Sequence, residues 1–185
     1  NSDAEGFINN LTKCCPNFDL NGKNAFVIGA GGAARALVYS LIKSQAAKVV
    51  ITNRNPDRAQ QLIENFAEFA QSKNCQLQFM SQQDFENNLN QCDLLTNSTS
   101  LGMDGQDKLQ LDLKNLKKDA IVYDIVYKPL MTDLLRSAAS RGNKITTGIG
   151  MLIEQALVGF ESWFKQKPQA DEELMKQAIL WSQNK

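Results

Sequence analysis

Two glycines and an alanine in the stretch FVIGAGGAARAL have the spacing of a phosphate-binding loop. Gly29 allows a tight turn after an apolar strand, Gly31 lets the backbone approach a ligand, and Ala34 lets the next helix pack closely on the strand. The N-terminus of that helix offers free N–H groups and the positive end of its dipole to an anion. The spacing therefore predicts a pyrophosphate site, and a plain strand-to-helix turn is the alternative.

A second polar cluster, in the stretch ITNRNPDR, follows the next predicted strand about 20 residues later, where dinucleotide-binding folds contact the adenosine ribose. A carboxylate there would bind the ribose 2′-hydroxyl of NAD and repel a 2′-phosphate. This chain instead has the neutral Asn53, and Arg54 and Arg58 can form a fork around a phosphate dianion. We therefore expect NADP. The alternatives are an Asn cap beside two solvated arginines, or an arginine bonded to Asp57.

The elements that must position these groups alternate between short apolar runs and amphipathic stretches. Strands are predicted at 25–29, 48–52, 76–80, 93–98, 120–126 and 144–148. Helices are predicted at 3–13, 34–43, 56–70, 130–141, 151–164 and 171–183, and Gly142 is placed to end the fourth of them. This order predicts an α/β fold with a Rossmann-like, doubly wound, mainly parallel six-stranded sheet, flanking helices and a C-terminal helical tail.

The composition of the chain argues against several functional classes. The 185 residues contain 20 basic and 20 acidic side chains, so no net charge draws the chain to nucleic acid or a membrane surface. No apolar run approaches the ~20 residues that span a bilayer. Histidine is absent, so proton transfer must use Asp, Glu, Lys, Tyr or Cys. The four cysteines lack metal-ligand spacing, which predicts reduced structural thiols, no metal site and a cytoplasmic protein.

Five motifs occur in an order that resembles the shikimate dehydrogenases: GAGGAARA, TNRNPDR, NSTSLGM, YDIVY and GIGMLIEQA. The first seven residues, NSDAEGF, resemble the N-T-D-G-x-G-F segment of the same family. The resemblance covers residues 1 to about 164. It implies the reversible reduction of 3-dehydroshikimate to shikimate by hydride transfer from NADPH, in the chorismate route to aromatic amino acids.

The resemblance also assigns roles to single residues. The catalytic pair of the family is a Lys and an Asp, and Asp3 matches the Asp. The residues implied to contact the substrate are Asp3, Tyr127 and Gln155. The residues implied to contact the cofactor are Gly29, Ala30, Gly31, Gly32 and Ala33 at the pyrophosphate, Asn53, Arg54, Asn55 and Arg58 at the adenosine phosphate, Asn97, Thr99 and Ile125 along its length, and Gly148 near the nicotinamide.

Each role has a plainer alternative. Asp3 alone would be an N-cap carboxylate of a helix, and Tyr127 a packed aromatic at a strand end. Gln155 would be a buried amide bonded to backbone, and Asn97 and Thr99 would cap a turn.

The chain begins at Asn1 rather than Met, which suggests a piece of a longer protein. We expect residues 1–19 to be a linker helix from a substrate domain that carries the Lys. Residues 20–148 would be the NADP-binding domain, and residues 149–185 would pack back on the substrate domain. The whole would be a monomer or a homodimer.

Ser2 and Ala4 depart from the family's Thr and Gly, which leaves the choice between shikimate and quinate open. The other functional alternatives are a quinate/shikimate dehydrogenase that uses NAD and a nucleotide-sensing module without catalysis.

Overall fold

The computed structural model describes residues 2–166, 168 and 170–183. Residue 1, which opens the predicted linker segment 1–19, lies outside the described residues, and so do positions 167, 169 and 184–185 of the predicted segment 149–185. The strands are β1 (Asn24–Ile28), β2 (Lys48–Thr52), β3 (Gln76–Phe79), β4 (Leu94–Asn97), β5 (Ile121–Asp124) and β6 (Lys144–Thr146). The helices are α1 (Ser2–Cys14), α2 (Gly32–Lys43), α3 (Pro56–Ser72), α4 (Gln82–Asn87), α5 (Asp133–Ser140), α6 (Gly148–Phe164) and α7 (Glu172–Gln183).

The six strands form one parallel sheet in the order β3-β2-β1-β4-β5-β6. This Rossmann-like order confirms the predicted fold class. The strand order reverses between β1 and β4, and ligands of open α/β sheets bind at the carboxyl edge beside such a reversal. The register aligns this edge, because Ile28 pairs with both Thr52 and Asn97, and Asn97 pairs with Asp124.

Alternate residues of each central strand enter opposite layers of the core. In β1, Val27 packs on the side of α1, α2 and α3, and Phe26 packs on the side of α4 and α5. Both side chains are buried, as are their neighbours on β4 and β5. Burial on both faces explains why these strands are continuous apolar runs rather than alternating ones.

Several predicted boundaries were wrong by one to three residues, and two of these shifts have a clear local cause. β1 stops at Ile28 because Gly29 has a φ of +111°, outside the strand region. α5 begins at Asp133 rather than 130 because the Thr132 hydroxyl caps it by accepting from the Leu135 N–H at 3.3 Å. Gly142, with a φ of +85°, ends α5 as predicted.

Two short helical elements were missed, and the end of the sixth strand was wrong. The helix α4 and the 3₁₀ turn Leu89–Gln91 that follows it were not predicted, because each is less than two turns long. Gly148 was placed at the end of a strand but begins α6.

Four free cysteines are present, of which Cys14 is exposed and Cys15, Cys75 and Cys92 are buried. Within the described ranges, no cluster of Cys, Asp and Glu is arranged to hold a metal ion. No described helix is both long enough and apolar enough to cross a membrane.

Candidate functional site

The glycine loop lies at the carboxyl end of β1. Packing within the protein leaves no room for a side chain at Gly29. A Cβ at Gly29 would lie 2.7 Å from Ser98 Oγ and 2.8 Å from Thr99 Cγ2, in addition to the strain of its positive φ. The Gly29 N–H donates to the Thr52 carbonyl at 2.8 Å, which ties the loop to the end of β2. The loop is therefore fixed on both sides by neighbouring strand ends.

Gly31 and Gly32, the next glycines of the loop, are not held by contacts of this kind. A Cβ at Gly31 or Gly32 would meet no atom within 4 Å, so packing does not require glycine at either position. Gly31 is the N-cap of α2 and supplies no side-chain cap, so the first N–H groups of α2 have no side-chain acceptor there. Ala30 and Ala33 are half-buried beside them. This cradle fits a pyrophosphate, because its bare backbone allows the approach that a Cβ would block.

The arginine pair follows the end of β2 directly. Asn55 caps α3 by accepting from the Arg58 N–H at 3.2 Å, and Asn53 Nδ2 donates to the Asn55 carbonyl at 2.8 Å. Arg54 and Arg58 are exposed, and across the described ranges neither guanidinium has an ion-pair or hydrogen-bond partner, Asp57 included. Two guanidinium groups at a fixed helix start therefore remain available for an anion.

A buried polar cluster occupies the ends of β4 and β5. Asn97 Nδ2 donates to Asp124 Oδ1 at 2.9 Å and to the Leu101 carbonyl at 3.1 Å. Asn97 Oδ1 accepts from the Thr99 N–H at 3.0 Å and from the Thr99 hydroxyl at 2.7 Å. The side chain of Asn97 therefore caps the turn after β4, which was the plainer alternative, and its contact with a cofactor stays a prediction. Thr99 is half-buried in the same turn.

Asp124 was not predicted as a site residue. In the structure its carboxylate is fully buried at the centre of this cluster. It accepts from Asn97, from the Val126 N–H at 3.0 Å and, through Oδ2, from the Thr132 hydroxyl at 2.7 Å. Burial raises the pKa of Asp124 to about 6, and the hydrogen bonds from Thr132, Val126 and Asn97 oppose that rise. The one signal in the sequence was a carboxylate inside the otherwise apolar run AIVYDIV.

Ile125 and Gly148 meet where β5 leads into its loop. A Cβ at Gly148 would lie 2.1 Å from the Ile125 carbonyl oxygen, so α6 can begin there only with glycine. Thr147, the N-cap of α6, makes no side-chain cap. The N-terminus of α6, like that of α2, therefore lies near the carboxyl edge of the sheet without a side-chain cap.

The predicted substrate residues Asp3 and Gln155 are brought together. Gln155 Nε2 donates to Asp3 Oδ1 at 2.8 Å, so the amide binds a carboxylate rather than backbone. Their helices pack closely, since a Cβ at Gly6 would come within 2.5 Å of Gln155 Cγ. Gln155 follows Gly148 by seven residues on α6, about 10 Å along the helix axis.

The third predicted substrate residue, Tyr127, is half-buried in the loop after β5. Its ring stacks on Trp181 of α7 with a centroid distance of 6.1 Å and an interplanar angle of 23°. The Lys128 ammonium lies 6.0 Å from the centroid of the same indole. α7 therefore returns to the sheet edge from which α6 departs.

Known proteins match this arrangement along nearly the whole chain. Residues 12–126 match the family model described as shikimate/quinate 5-dehydrogenase, and residues 148–180 match the shikimate 5′-dehydrogenase C-terminal domain. The NADP(+) shikimate dehydrogenase of Paramagnetospirillum magneticum is 43% identical over 183 residues, covering 94% of this chain and 60% of that protein. This chain thus spans about 60% of the length of the curated relatives it matches.

Two solved structures share the fold. Quinate dehydrogenase from Corynebacterium glutamicum, in complex with NAD, superposes with a TM-score of 0.85 at 28% identity. Shikimate 5-dehydrogenase from Thermus thermophilus, in complex with NADP(H) and shikimate, superposes with a TM-score of 0.79 at 31% identity. Each comparison covers 98% of this chain and 62% of the other.

Proposed function

Because this chain belongs to the shikimate/quinate 5-dehydrogenase family, we propose that it forms the cofactor-binding part of an NADP-dependent shikimate dehydrogenase. The reaction is the reversible reduction of 3-dehydroshikimate to shikimate, in chorismate and aromatic amino acid biosynthesis. The observation that carries the cofactor choice is the exposed pair Arg54 and Arg58 directly after β2, whose guanidinium groups have no partner within the part of the chain that the structure describes. The substrate choice rests on the curated relatives, which are named as NADP(+) shikimate dehydrogenases.

The residues of this chain would bind the cofactor in three places. The cradle Gly29–Ala33 and the open N-terminus of α2 would hold the pyrophosphate. Asn53, Asn55 and the two arginines would hold the 2′-phosphate. Asn97, Thr99 and Ile125, at the ends of β4 and β5, would lie along the cofactor, and Gly148, at the start of α6, would lie near the nicotinamide.

The cofactor supplies a hydride when it is bound, and the ketone oxygen then needs a proton. This chain has no histidine, and we propose that Asp3 stabilises and orients an ammonium donor through its charge. The bond from Gln155 fixes the orientation of the Asp3 carboxylate. Both side chains, together with Tyr127, would contact the substrate.

The segment division belongs to the same proposal: residues 1–19 as a linker helix, residues 20–148 as the cofactor domain and residues 149–185 as a tail toward a substrate domain. The packing of α1 on α6 supports it, since the two outer segments lie against each other through Gly6 and Gln155. A cytoplasmic location is supported by the four free cysteines. A monomer or homodimer stays a prediction.

Calorimetric titration with NADP⁺ and with NAD⁺ tests the cofactor choice. We expect NADP⁺ to bind about 10- to 100-fold more tightly, since hydrogen bonds to charged groups contribute about 1.5–3 kcal/mol each. The double variant R54A/R58A should lose this preference and bind both nucleotides alike. R136A, which removes another exposed arginine on α5, is the matched control and should keep it.

Equal binding of both nucleotides by the unaltered chain would refute the NADP assignment. It would favour an NAD-dependent quinate/shikimate dehydrogenase, the alternative supported by the fold match to the quinate enzyme solved with NAD. No binding of either nucleotide would refute the cofactor proposal as a whole. Initial rates of the full-length protein with shikimate and with quinate decide the substrate, and D3N should abolish turnover without changing NADP⁺ affinity.

A further inference from the structure

The carboxylate of Asp124 lies between the two loops that carry predicted ligand contacts, yet it is fully buried. On one side, it receives the hydrogen bond from Asn97 at the end of β4. On the other, it receives bonds from the Val126 N–H and the Thr132 hydroxyl in the segment that joins β5 to α5. One side chain thus joins residues 97 and 132 across two strand ends.

The loop after β4 depends on this carboxylate through Asn97. With its Nδ2 held by Asp124, the amide of Asn97 must present Oδ1 to the Thr99 N–H and hydroxyl. The Thr99 Oγ1 in turn accepts from the Leu101 N–H at 3.1 Å. The same turn places Ser98 and Thr99 against Gly29, so its shape also sets one wall of the glycine loop.

The loop after β5 depends on it through Val126 and Thr132. The Val126 N–H and the Thr132 hydroxyl, which also caps α5, both point at the carboxylate. Tyr127, a predicted substrate contact, lies between these two anchors. A carboxylate suits this place because it accepts three hydrogen bonds and donates none, whereas an amide would present a donor to one of the three.

We propose that Asp124 is a positioning residue that holds the loop after β4 and the loop after β5 in their binding geometry at the same time. This inference rests on the proposed function, since the loops matter as walls of the cofactor and substrate site. Asp124 itself is fully buried and is not one of the proposed ligand contacts. It acts through Asn97 on the cofactor side and through Val126 and Thr132 on the substrate side.

The test compares D124N with D93N, in this chain, by titration with NADP⁺. Asp93 is the matched control, because its carboxylate lies at the opposite, amino edge of the sheet, where it accepts from the Asn24 N–H at 2.8 Å and pairs with Lys117. D124N should bind NADP⁺ at least about tenfold more weakly, the effect of losing one hydrogen bond to a charged group. D93N should bind it within about twofold of the unaltered chain, because no proposed ligand contact lies at that edge.

Amide hydrogen exchange provides the second readout. Exchange in residues 98–101 and 125–131 should accelerate in D124N and remain unchanged in D93N. Unchanged NADP⁺ affinity and unchanged exchange in D124N would overturn the proposal. If the unaltered chain fails to bind NADP⁺, the proposed function fails, and the exchange comparison alone then decides the role of Asp124.

Should D124N not fold, the pair T132V and T132S replaces it. Valine removes the hydroxyl that donates to Asp124 Oδ2, whereas serine keeps it. Faster exchange in residues 98–101 of T132V but not of T132S would support the proposal, because the Thr132 hydroxyl donates to Asp124, which in turn holds Asn97 at the start of that turn. Equal exchange in the two variants would overturn it.

Discussion

The Asp124–Asn97 cluster and the Arg54–Arg58 pair lie at the same edge of the sheet and are built in opposite ways. The cluster is buried, and the carboxylate has three protein donors. The arginines are exposed, and among the described residues they have no side-chain partner. The hydrogen-bonding groups of the cluster are satisfied within the protein, whereas the two guanidinium groups remain available to a ligand.

The difference separates two requirements of a binding edge. Loops must be held in place before a ligand arrives, and buried hydrogen bonds do this because leaving a buried donor unpaired is costly. Selectivity for a phosphate needs charges that the fold has not already neutralised. Removing a member of the first group should therefore damage stability, and removing a member of the second should damage only binding.

The largest expected effect is that of D124L. Leucine would orphan the donors on Asn97, Val126 and Thr132, and each orphaned buried donor costs about 1–3 kcal/mol. We expect the free energy of unfolding in urea to fall by at least about 3 kcal/mol. The exposed Asp119 provides the control, and D119L should stay within about 0.5 kcal/mol of the unaltered chain. A D124L variant of unchanged stability would contradict the distinction between the buried cluster and the exposed pair.

The second-largest expected effect is a pH dependence of the free energy of unfolding that arises from Asp124. Folding raises the pKa of Asp124 from its ordinary 3.8 to about 6, so between these values the folded state holds more protons than the unfolded one. The contribution of Asp124 to stability should therefore decrease as pH rises from about 4 to about 6, by about 3 kcal/mol in total, and stay level above that. Urea unfolding of D124N and the unaltered chain at several pH values isolates this difference. Parallel curves for the two would show that the carboxylate does not titrate as stated.

The smallest effect concerns what holds the arginine pair. N55A removes the cap of α3, and S81A removes the equivalent cap of α4, where Ser81 Oγ accepts from the Asp84 N–H at 3.2 Å. Both variants should lose about 1 kcal/mol of stability in thermal unfolding. Only N55A should also weaken NADP⁺ binding, because Asn55 caps the helix that bears Arg58 and is itself a proposed contact of the 2′-phosphate. Equal NADP⁺ affinity in both would mean that Asn55 neither contacts the 2′-phosphate nor positions Arg58 for it.

The same contrast explains which features the sequence could predict. The six strands and the glycine loop follow from apolar runs and glycine spacing, both of which are local. The arginines could be found because they follow the second strand, about 20 residues after the glycine loop, where a chain that binds NAD has a carboxylate. The role of Asp124 could not be predicted, because its partners Asn97 and Thr132 lie 27 and 8 residues away. Asn97 meets it through the register of β4 with β5, and Thr132 meets it through the path of the segment between β5 and α5.

The bond between Asp3 and Gln155 was equally hidden, although both residues were predicted at the site. Helical periodicity places them on helices but does not say which faces meet. The contact depends on Gly6, where any side chain would strike Gln155. A glycine in the middle of a helix was the local sign of this close approach, and it was visible only as part of a motif.

The distance along the chain between Asp3 and Gln155 has a consequence for how the protein is made. The two residues are 152 positions apart. A ribosome that adds roughly 5–20 residues per second needs roughly 8–30 s to reach Gln155 after it has made Asp3. During that time, Phe7 and Leu11 of α1, both buried in the finished protein, lack the helix α6 that covers them. The apolar face of α1 thus stays without that covering helix until residues 148–164 have been made.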